Sequence, residues 1–214
     1  KLKNYRESVA FYERYLELMP QDTGSWFKLG KLYTHTNQMS QALACFDKCL
    51  SVEELYNYYI NKGYVLHHLG RLTEALVCYN MMLAQATSNA EGWCAKGLAY
   101  FQLGDFVKSQ RYLDVCLEIE PEHPDGLCYM ALLLHSENEG FDAKSLEYLN
   151  ACLTHEPTHP IANICMAVYN LDQYRPDTAM SALKRCLSKE PTQRQALRMR
   201  AQLLADEGKW QKSL

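Results

Sequence analysis

The sequence lacks the features that mark several large classes of protein. No stretch approaches the roughly 18 apolar residues that a membrane-spanning helix needs, and no charged-then-apolar secretory leader opens the chain, which begins at Lys1. The nine cysteines form no CxxC pair and no closely spaced framework, so they favour a reducing compartment over a disulfide scaffold. We therefore expect a fragment of a longer intracellular protein, cytoplasmic or nuclear, without a membrane span.

The chain also lacks an excess of positive charge. Its 22 Lys and Arg residues face 25 Asp and Glu residues, for a net charge of −3. The balance is uneven, because residues 72–143 hold three basic and eleven acidic side chains. A groove that binds nucleic acid needs Lys and Arg to neutralise phosphates. The acidic centre therefore disfavours a nucleic-acid partner.

Motifs of catalysis are absent from the sequence as well. The chain contains no glycine-rich phosphate loop, no GxSxG and no HExxH, and its carboxylates are scattered. One spacing, Cys152-x2-His155-x3-His159, is compatible with zinc ligands. The two histidines fall on either side of a proline turn, however, so we expect their ring nitrogens to diverge. We predict no enzymatic activity, no metal and no cofactor.

What the sequence does contain is an internal repeat. Pro121, Pro157 and Pro191 recur at nearly equal intervals, and each ends a similar run, LEIEP, LTHEP or LSKEP. Further upstream in a repeat, aromatic residues and glycines recur at fixed spacing: Trp26-x2-Leu29-Gly30-x2-Tyr33 and Trp93-x3-Gly97-x2-Tyr100. These patterns resemble the tetratricopeptide repeat (TPR) signature, W-x2-LG-x2-Y…A-x3-F…P, whose period is about 34 residues.

Two positions of this repeat frame keep one kind of residue each, and a third carries glycine in several copies. Position 8 is small: Gly30, Gly63, Gly97, Ala131, Ala167 and Ala201. Position 24 is large and apolar: Tyr12, Phe46, Tyr79, Leu113, Leu149 and Leu183. We expect the small residue to let the first helix (A) and second helix (B) of a repeat approach closely, beside the position-24 side chain. Glycines at position 15 suit a left-handed turn between the two helices: Gly70, Gly104 and Gly208.

The resemblance implies an all-α fold, a right-handed α-solenoid of stacked antiparallel helix pairs, and it covers nearly all of residues 1–214 as a single array. We predict a lone B helix at 3–19 and an incomplete repeat at 194–214, whose B helix is cut off. Five full repeats lie between them, at 23–55, 56–89, 90–123, 124–159 and 160–193. The fourth repeat carries a two-residue insertion around Ser136–Phe141.

Most of the cysteines fall on two parts of this frame. Four share position 27, where the family keeps a small residue facing the next repeat, and we expect these to be buried: Cys49, Cys116, Cys152 and Cys186. Three others fall near positions 5 and 6 of the A helices: Cys94, Cys128 and Cys165. We expect this second group to line the groove as accessible thiols.

In proteins of this family the A helices line a concave groove. The resemblance implies that a partner binds there, and we predict these partner-binding residues: Lys28, Lys31, Asn61, Tyr64, His67, His68, Leu98, Phe101, Tyr129, Leu132, His135 and Arg198. The surface changes from cationic and hydrogen-bonding to aromatic and apolar, and it ends with a cation. A peptide whose apolar anchors are flanked by acidic residues would suit it.

We therefore predict a non-catalytic protein–protein interaction scaffold or adaptor that binds a partner peptide or segment within a multiprotein assembly. Two alternatives stay open: a structural subunit or self-associating array, as a homo- or hetero-oligomer, and the targeting arm of an enzyme whose catalytic domain lies outside this chain. A third is disfavoured. The TPR subclass that clamps the C-terminal carboxylate of heat-shock chaperones uses Lys and Asn in its grooves, and only Asn61 matches, whereas Phe27, Cys94 and Leu98 do not.

Overall fold

The computed structural model describes the backbone of residues 2–138 and 140–211 and the side chains of residues 5–138 and 140–205. Over these residues the chain forms twelve α-helices and no strand, which confirms the all-α prediction. The helices are α1 (Leu2–Leu18), α2 (Thr23–His35), α3 (Met39–Leu50), α4 (Tyr56–His68), α5 (Leu72–Gln85), α6 (Ala90–Gln102), α7 (Phe106–Ile119), α8 (Pro124–Asn138), α9 (Ala143–His155), α10 (Pro160–Asp172), α11 (Pro176–Lys189) and α12 (Arg194–Gln211). Lys1 and Leu214, the predicted ends of the array, lie outside the described residues.

The helices group into two compact units, Lys1–Ile119 and Glu120–Leu214. In the first unit α1 packs on α2, and the two helices of each pair, α2/α3, α4/α5 and α6/α7, pack on each other. Successive pairs are also in contact, through α3 with α4 and through α5 with α6. In the second unit α8 packs on α9, α10 on α11, and α11 on α12. Because short turns join the two members of a pair, they run antiparallel. The A helices are thus α2, α4, α6, α8 and α10, and the B helices are α1, α3, α5, α7, α9 and α11.

Side-chain caps fix the starts of several helices. A carboxylate oxygen of Asp22 accepts the backbone N–H of Ser25 at 3.1 Å, ahead of α2. Asp142 accepts the N–H of Ser145 at 2.7 Å in the same way, ahead of α9. Each cap satisfies a backbone donor that has no partner inside the helix. These residues therefore set where each new helix begins after a turn.

The turn inside a repeat closes through one residue with left-handed backbone. Gly70 and Gly104 have φ angles of 73° and 77°, as predicted. Asn37 and Tyr174 occupy the same position in other repeats, with φ angles of 61° and 56°. The prediction for Gly208 is wrong, because α12 continues through it as unbroken helix. One glycine costs a helix only about 1 kcal/mol, which the helix-forming residues around it can offset.

In the first unit, glycine at position 8 is required by the close approach of helices A and B. A Cβ atom added to Gly30 would lie 2.8 Å from the ring of Phe46, and one added to Gly63 would lie 2.5 Å from the ring of Tyr79. Both rings come from position 24, and both are buried, with 0% and 1% of their surface exposed. The predicted seating of the position-24 side chain against the small residue is confirmed for these two repeats.

The second unit fills the same two positions with different volumes. Ala131 and Ala167 occupy position 8, and Leu149 and Leu183 occupy position 24. All four have no exposed surface. A slightly larger residue on the A helix is thus matched by a smaller one on the B helix, which keeps the interior closely packed.

Candidate functional site: the A-helix surfaces and a pocket in the second unit

The first unit presents the two predicted lysines on α2. Lys28 and Lys31 are both exposed. Nζ of Lys31 lies 5.7 Å from the centre of the Phe27 ring, within cation–π range. On α4, Asn61 donates from Nδ2 to the backbone carbonyl of Asn57 at 2.7 Å. This part of the surface therefore offers two cations, while one of the two amide N–H groups of Asn61 is already used within its own helix.

Three ring-bearing residues follow on α4. Tyr64 is 49% exposed, its ring centre lies 4.3 Å from that of His68, and the rings of His67 and His68 are 6.4 Å apart. Burial lowers the pKa of His67, the neighbouring His68 lowers it further, and a contact with Gln102 opposes this. Burial also lowers the pKa of His68. Both histidines therefore favour the neutral form, and they contribute hydrogen-bonding rings to this surface more than cations.

On α6 the surface becomes apolar, as the sequence predicts. Leu98 and Phe101 are half-buried. The ring centre of Phe101 lies 5.5 Å from that of Phe106 at the start of α7. This contact orients the Phe101 side chain, so the part of it that faces solvent has a defined position.

In the second unit the predicted residues differ in exposure. Tyr129 is buried, with 8% of its surface exposed, because it lies in an unbroken buried run from Gly126 to Ala131 in a helix that is apolar on nearly all sides. Arg198, near the start of α12, is exposed. Tyr129 therefore presents almost no surface to a partner, in contrast to its predicted role, whereas Arg198 is accessible.

The other two predicted residues of this unit, Leu132 and His135, line a pocket of about 390 Å³ on the A helices. Its walls come from α8, α10, the start of α12 and the loop after α8. The lining residues are Leu132, His135, Phe141, Ile161, Ile164, Cys165, Val168, Gln193 and Gln195. Most are apolar, and a pocket of this size can hold an aliphatic or aromatic side chain with adjoining backbone.

Phe141 forms one wall of the pocket. Its ring stacks on His135 with 4.2 Å between ring centres and 9° between planes, and it meets Tyr169 edge-on at 6.4 Å. Nδ1 of His135 is buried and makes no hydrogen bond within the described part of the chain. Such an unpaired buried atom is uncommon, because native proteins pair most of their buried polar groups.

The position of Phe141 follows from the two-residue insertion in the fourth repeat. Helix α8 has 15 residues, whereas α6 and α10 have 13. After it, the N–H of Gly140 donates to the carbonyl of His135 at 3.2 Å and turns the chain back over the helix. The sequence showed the insertion but not its consequence, so Phe141 was missed. Gln193 and Gln195 were missed as well, because both belong to a different repeat from Leu132.

The cysteines correct one expectation. All nine are free and buried, and the three expected to be accessible, Cys94, Cys128 and Cys165, are exposed by only 4%, 0% and 5%. Burial also raises the pKa of Cys45 to about 12 and that of Cys49 to about 11. These two thiols therefore stay protonated, and Cys165 enters the pocket wall as a small apolar surface.

The zinc-like spacing forms a helix cap instead. His159 is 3% exposed; its Nε2 lies 2.9 Å from Oδ1 of Asp125, and its Nδ1 accepts the N–H of Ala162 at 3.2 Å. The hydrogen bond from His159 lowers the pKa of Asp125. Cys152 contacts the same imidazole but has no exposed surface, and His155 is exposed. Both ring nitrogens of His159 are thus engaged at the start of α10, and neither is left for a metal ion.

No helix among the described residues is both long enough and apolar enough to cross a bilayer.

Residues 90–123, and also 23–54 and 56–80, match the family described as Tetratricopeptide repeat. The curated TPR repeat-containing protein MJ0263 of Methanocaldococcus jannaschii is 31% identical over 83 residues, which are 36% of this chain and 26% of that protein. The chain spans about a quarter of the length of the curated relatives it matches.

Two solved structures show the same fold. The APC/C hetero-tetramer Cut9–Hcn1 superposes with a TM-score of 0.74 at 14% identity, over 94% of this chain and 40% of that chain. YrrB, a TPR protein with an unusual peptide-binding site, superposes with a TM-score of 0.55 at 20% identity, over 87% of this chain and 96% of that chain. The repeated helix pairs, the residues of the repeat frame and these matches show that the chain belongs to the tetratricopeptide repeat family.

Proposed function

We propose that the chain is a non-catalytic protein-interaction scaffold that binds a segment of a partner protein on the A helices of its second unit, within a multiprotein assembly. The observation that carries this proposal is the pocket of about 390 Å³ walled by Phe141. It is concave, mostly apolar and bordered by a few polar side chains, which is the composition of sites that hold one anchoring side chain of a partner.

The chemistry around the pocket indicates what the partner segment contains. The apolar walls favour an aliphatic or aromatic anchor. Arg198 is exposed and follows the pocket residue Gln195 by one turn of α12, so both lie on one face of the helix. An acidic residue next to the anchor would meet this cation. Lys28 and Lys31 offer the same complement in the first unit.

The relatives support the same class of function. YrrB is described as having a peptide-binding site, and Cut9–Hcn1 is a hetero-tetramer. For this chain, the support for partner binding is the pocket in its own second unit. We also propose an intracellular location. All nine cysteines are free thiols, and a reducing compartment keeps such residues from forming disulfides.

The experiment is a peptide selection followed by calorimetry. A displayed random-peptide library is selected on the chain, and the enriched peptide is titrated into the wild type and into Phe141→Ala. We expect Phe141→Ala to weaken binding by about tenfold or more, because the anchor loses one wall of its pocket. Tyr174→Ala is the matched control, since it removes an aromatic ring that is 93% exposed and does not line the pocket.

Two results would contradict the proposal. One is an enriched peptide that binds Phe141→Ala as tightly as the wild type. The other is an enriched peptide that lacks an apolar anchor and whose affinity is lowered equally by Tyr174→Ala.

A further inference from the structure

A second pocket, of about 330 Å³, lies in the first unit between the B helices α1 and α3 and the side of α2 that packs on them. Leu16, Trp26, Leu29 and Tyr33 form apolar walls. The indole N–H of Trp26 donates to the carbonyl of Pro20 at 2.9 Å, which holds the ring in place. This B-helix cleft uses none of the A-helix surface to which we assign the partner segment.

Two carboxylates stand at the mouth of the B-helix cleft. Glu13 and Glu17 are both exposed and lie one turn apart on α1. Glu13 accepts a hydrogen bond from the hydroxyl of Tyr33. Glu17 makes no hydrogen bond or ion pair with any side chain that the structure describes. Two like charges at this spacing repel each other, so a cation between them would be favoured.

One repeat later, a lysine of the chain itself fills the equivalent cleft. Lys62 occupies the repeat position that Leu29 holds in the first full repeat. Its Nζ lies 2.6 Å from Oδ1 of Asp47, the counterpart of Glu13. The charge of Lys62 acts to lower the pKa of three nearby side chains, Tyr59, Glu74 and Cys78. These residues are the counterparts of three that line the B-helix cleft: Trp26, Gln41 and Cys45.

The third repeat also has a lysine at this position, but its ammonium lies beside aromatic rings. Lys96, at the position equivalent to Lys62, is 9% exposed. Its Nζ lies 4.1 Å from the ring centre of Tyr112 and 5.3 Å from that of Trp93, the counterpart of Trp26. Two successive repeats thus place a lysine stem in this cleft, with the ammonium beside a carboxylate or an aromatic ring. In the first repeat the shorter, uncharged Leu29 leaves the space open.

We propose that the B-helix cleft of the first repeat binds a lysine side chain of a partner segment. The stem packs on Trp26 and Leu29, and the ammonium lies between Glu13 and Glu17, in the place that Lys62 takes one repeat later. This partner differs in chemistry from the segment assigned to the second unit, because it brings a cation to a carboxylate pair. The first repeat therefore adds a second interaction surface, on the B helices.

The test is a nuclear magnetic resonance titration with two acetylated and amidated pentapeptides, Gly-Gly-Lys-Gly-Gly and the same peptide with norleucine in place of lysine. The two probes share an aliphatic stem, and only the first carries an ammonium. We expect saturable shifts of the Trp26 indole N–H and of the amides of residues 13–17 and 41–45 with the lysine peptide, with a dissociation constant of about 1 mM. The norleucine peptide is expected to bind at least about fivefold more weakly.

Three variants assign the shifts to the cleft. Glu17→Gln removes a carboxylate that makes no hydrogen bond or ion pair within the described residues, so the fold is kept, and binding of the lysine peptide is expected to weaken about fivefold. Leu29→Lys supplies a lysine from within the chain, as Lys62 does, and is expected to abolish binding. Glu118→Gln, an exposed carboxylate on α7, is the control and should leave binding unchanged.

The proposal is overturned if both peptides bind equally, if neither gives saturable shifts, or if Glu118→Gln weakens the lysine peptide as much as Glu17→Gln does. These results concern only the first unit. They therefore leave the test of the Phe141 pocket independent.

Discussion

The two units pack their helix pairs with different residues at the same repeat positions. Two repeats of the first unit place an aromatic ring on a glycine, as in Gly63 and Tyr79, where an added Cβ would lie 2.5 Å from the ring, whereas its third repeat pairs Gly97 with Leu113. The second unit places a leucine on an alanine, as in Ala167 and Leu183, both with no exposed surface. The ring-bearing repeats thus use glycine at position 8, whereas a leucine at position 24 lies against either glycine or alanine. Where a ring fills position 24, a larger residue at position 8 has no room, because the interior has almost no free space.

The turns between helices differ in a related way. In the first unit two of the three left-handed turn residues are glycines, Gly70 and Gly104, which adopt positive φ without strain, and the third is Asn37. In the second unit Tyr174 adopts a φ of 56° although its Cβ disfavours that region. The surrounding helices α10 and α11 impose the turn on a residue that does not favour it.

The largest expected effect comes from enlarging the glycine that receives a ring. Gly63→Ala should lower the free energy of unfolding by about 2 kcal/mol, because the new Cβ meets the buried ring of Tyr79 and the helix-propensity gain of about 1 kcal/mol only partly offsets the clash. Urea unfolding followed by circular dichroism measures the change. Gly140→Ala is the control, since no atom outside this residue and its two chain neighbours lies within 4 Å of the added Cβ.

A double variant decides whether volume is the cause of that effect. Gly63→Ala combined with Tyr79→Leu recreates the pair found at Ala167 and Leu183. The loss should be at least about 1 kcal/mol smaller than the sum of the two single losses, since residues in direct contact are not additive. If the loss of the double variant equals the sum of the two single losses, the volumes at positions 8 and 24 do not compensate for each other.

A smaller effect, of opposite sign in the two units, is expected at the turns. Gly70→Ala should lower the free energy of unfolding by about 1 kcal/mol, because an alanine is strained at a φ of 73°. Tyr174→Gly should raise it by about 0.5 kcal/mol, since relief of strain exceeds the greater freedom of glycine in the unfolded chain. Thermal or urea unfolding of both variants checks the signs. If Tyr174→Gly instead lowers the free energy of unfolding, the exposed ring stabilises the fold by more than the backbone strain at this residue costs.

The smallest effect concerns the histidines of the first unit. Because burial lowers the pKa of His67 in the folded chain, the unfolded chain binds a proton there more readily as the pH falls below about 6.5. The free energy of unfolding should therefore fall on acidification, and less steeply for His67→Gln than for the wild type. Unfolding curves at several pH values between neutral and mildly acidic measure the two slopes. Parallel slopes would contradict the assigned direction.

The sequence predicted most of the helices because the repeat frame is local and recurs. A tryptophan, a glycine and a tyrosine at fixed spacing placed α2 and α6, and the position-15 glycines placed two of the turns. It failed at Gly208, where helix-forming neighbours carry the helix through. It failed also at Cys94, Cys128 and Cys165, because the frame gives a position on a helix but not how completely that position is covered.

The candidate sites show the same division. Leu132 and His135 followed from their place on an A helix, but Phe141 reached the pocket only through the turn at Gly140. Lys62 and Leu29 occupy one repeat position in the sequence, and only the packed helices reveal that one fills a cleft and the other leaves it open.

The sequence by itself thus determined the helix period, the small and large positions of the frame and the family, since each depends on short patterns that recur along the chain. The tertiary structure alone decided which side chains are buried, where the two pockets lie and which charges stand at their mouths. Those properties arise between residues on different helices and in different repeats, whose distances are set by the packing of several helices together.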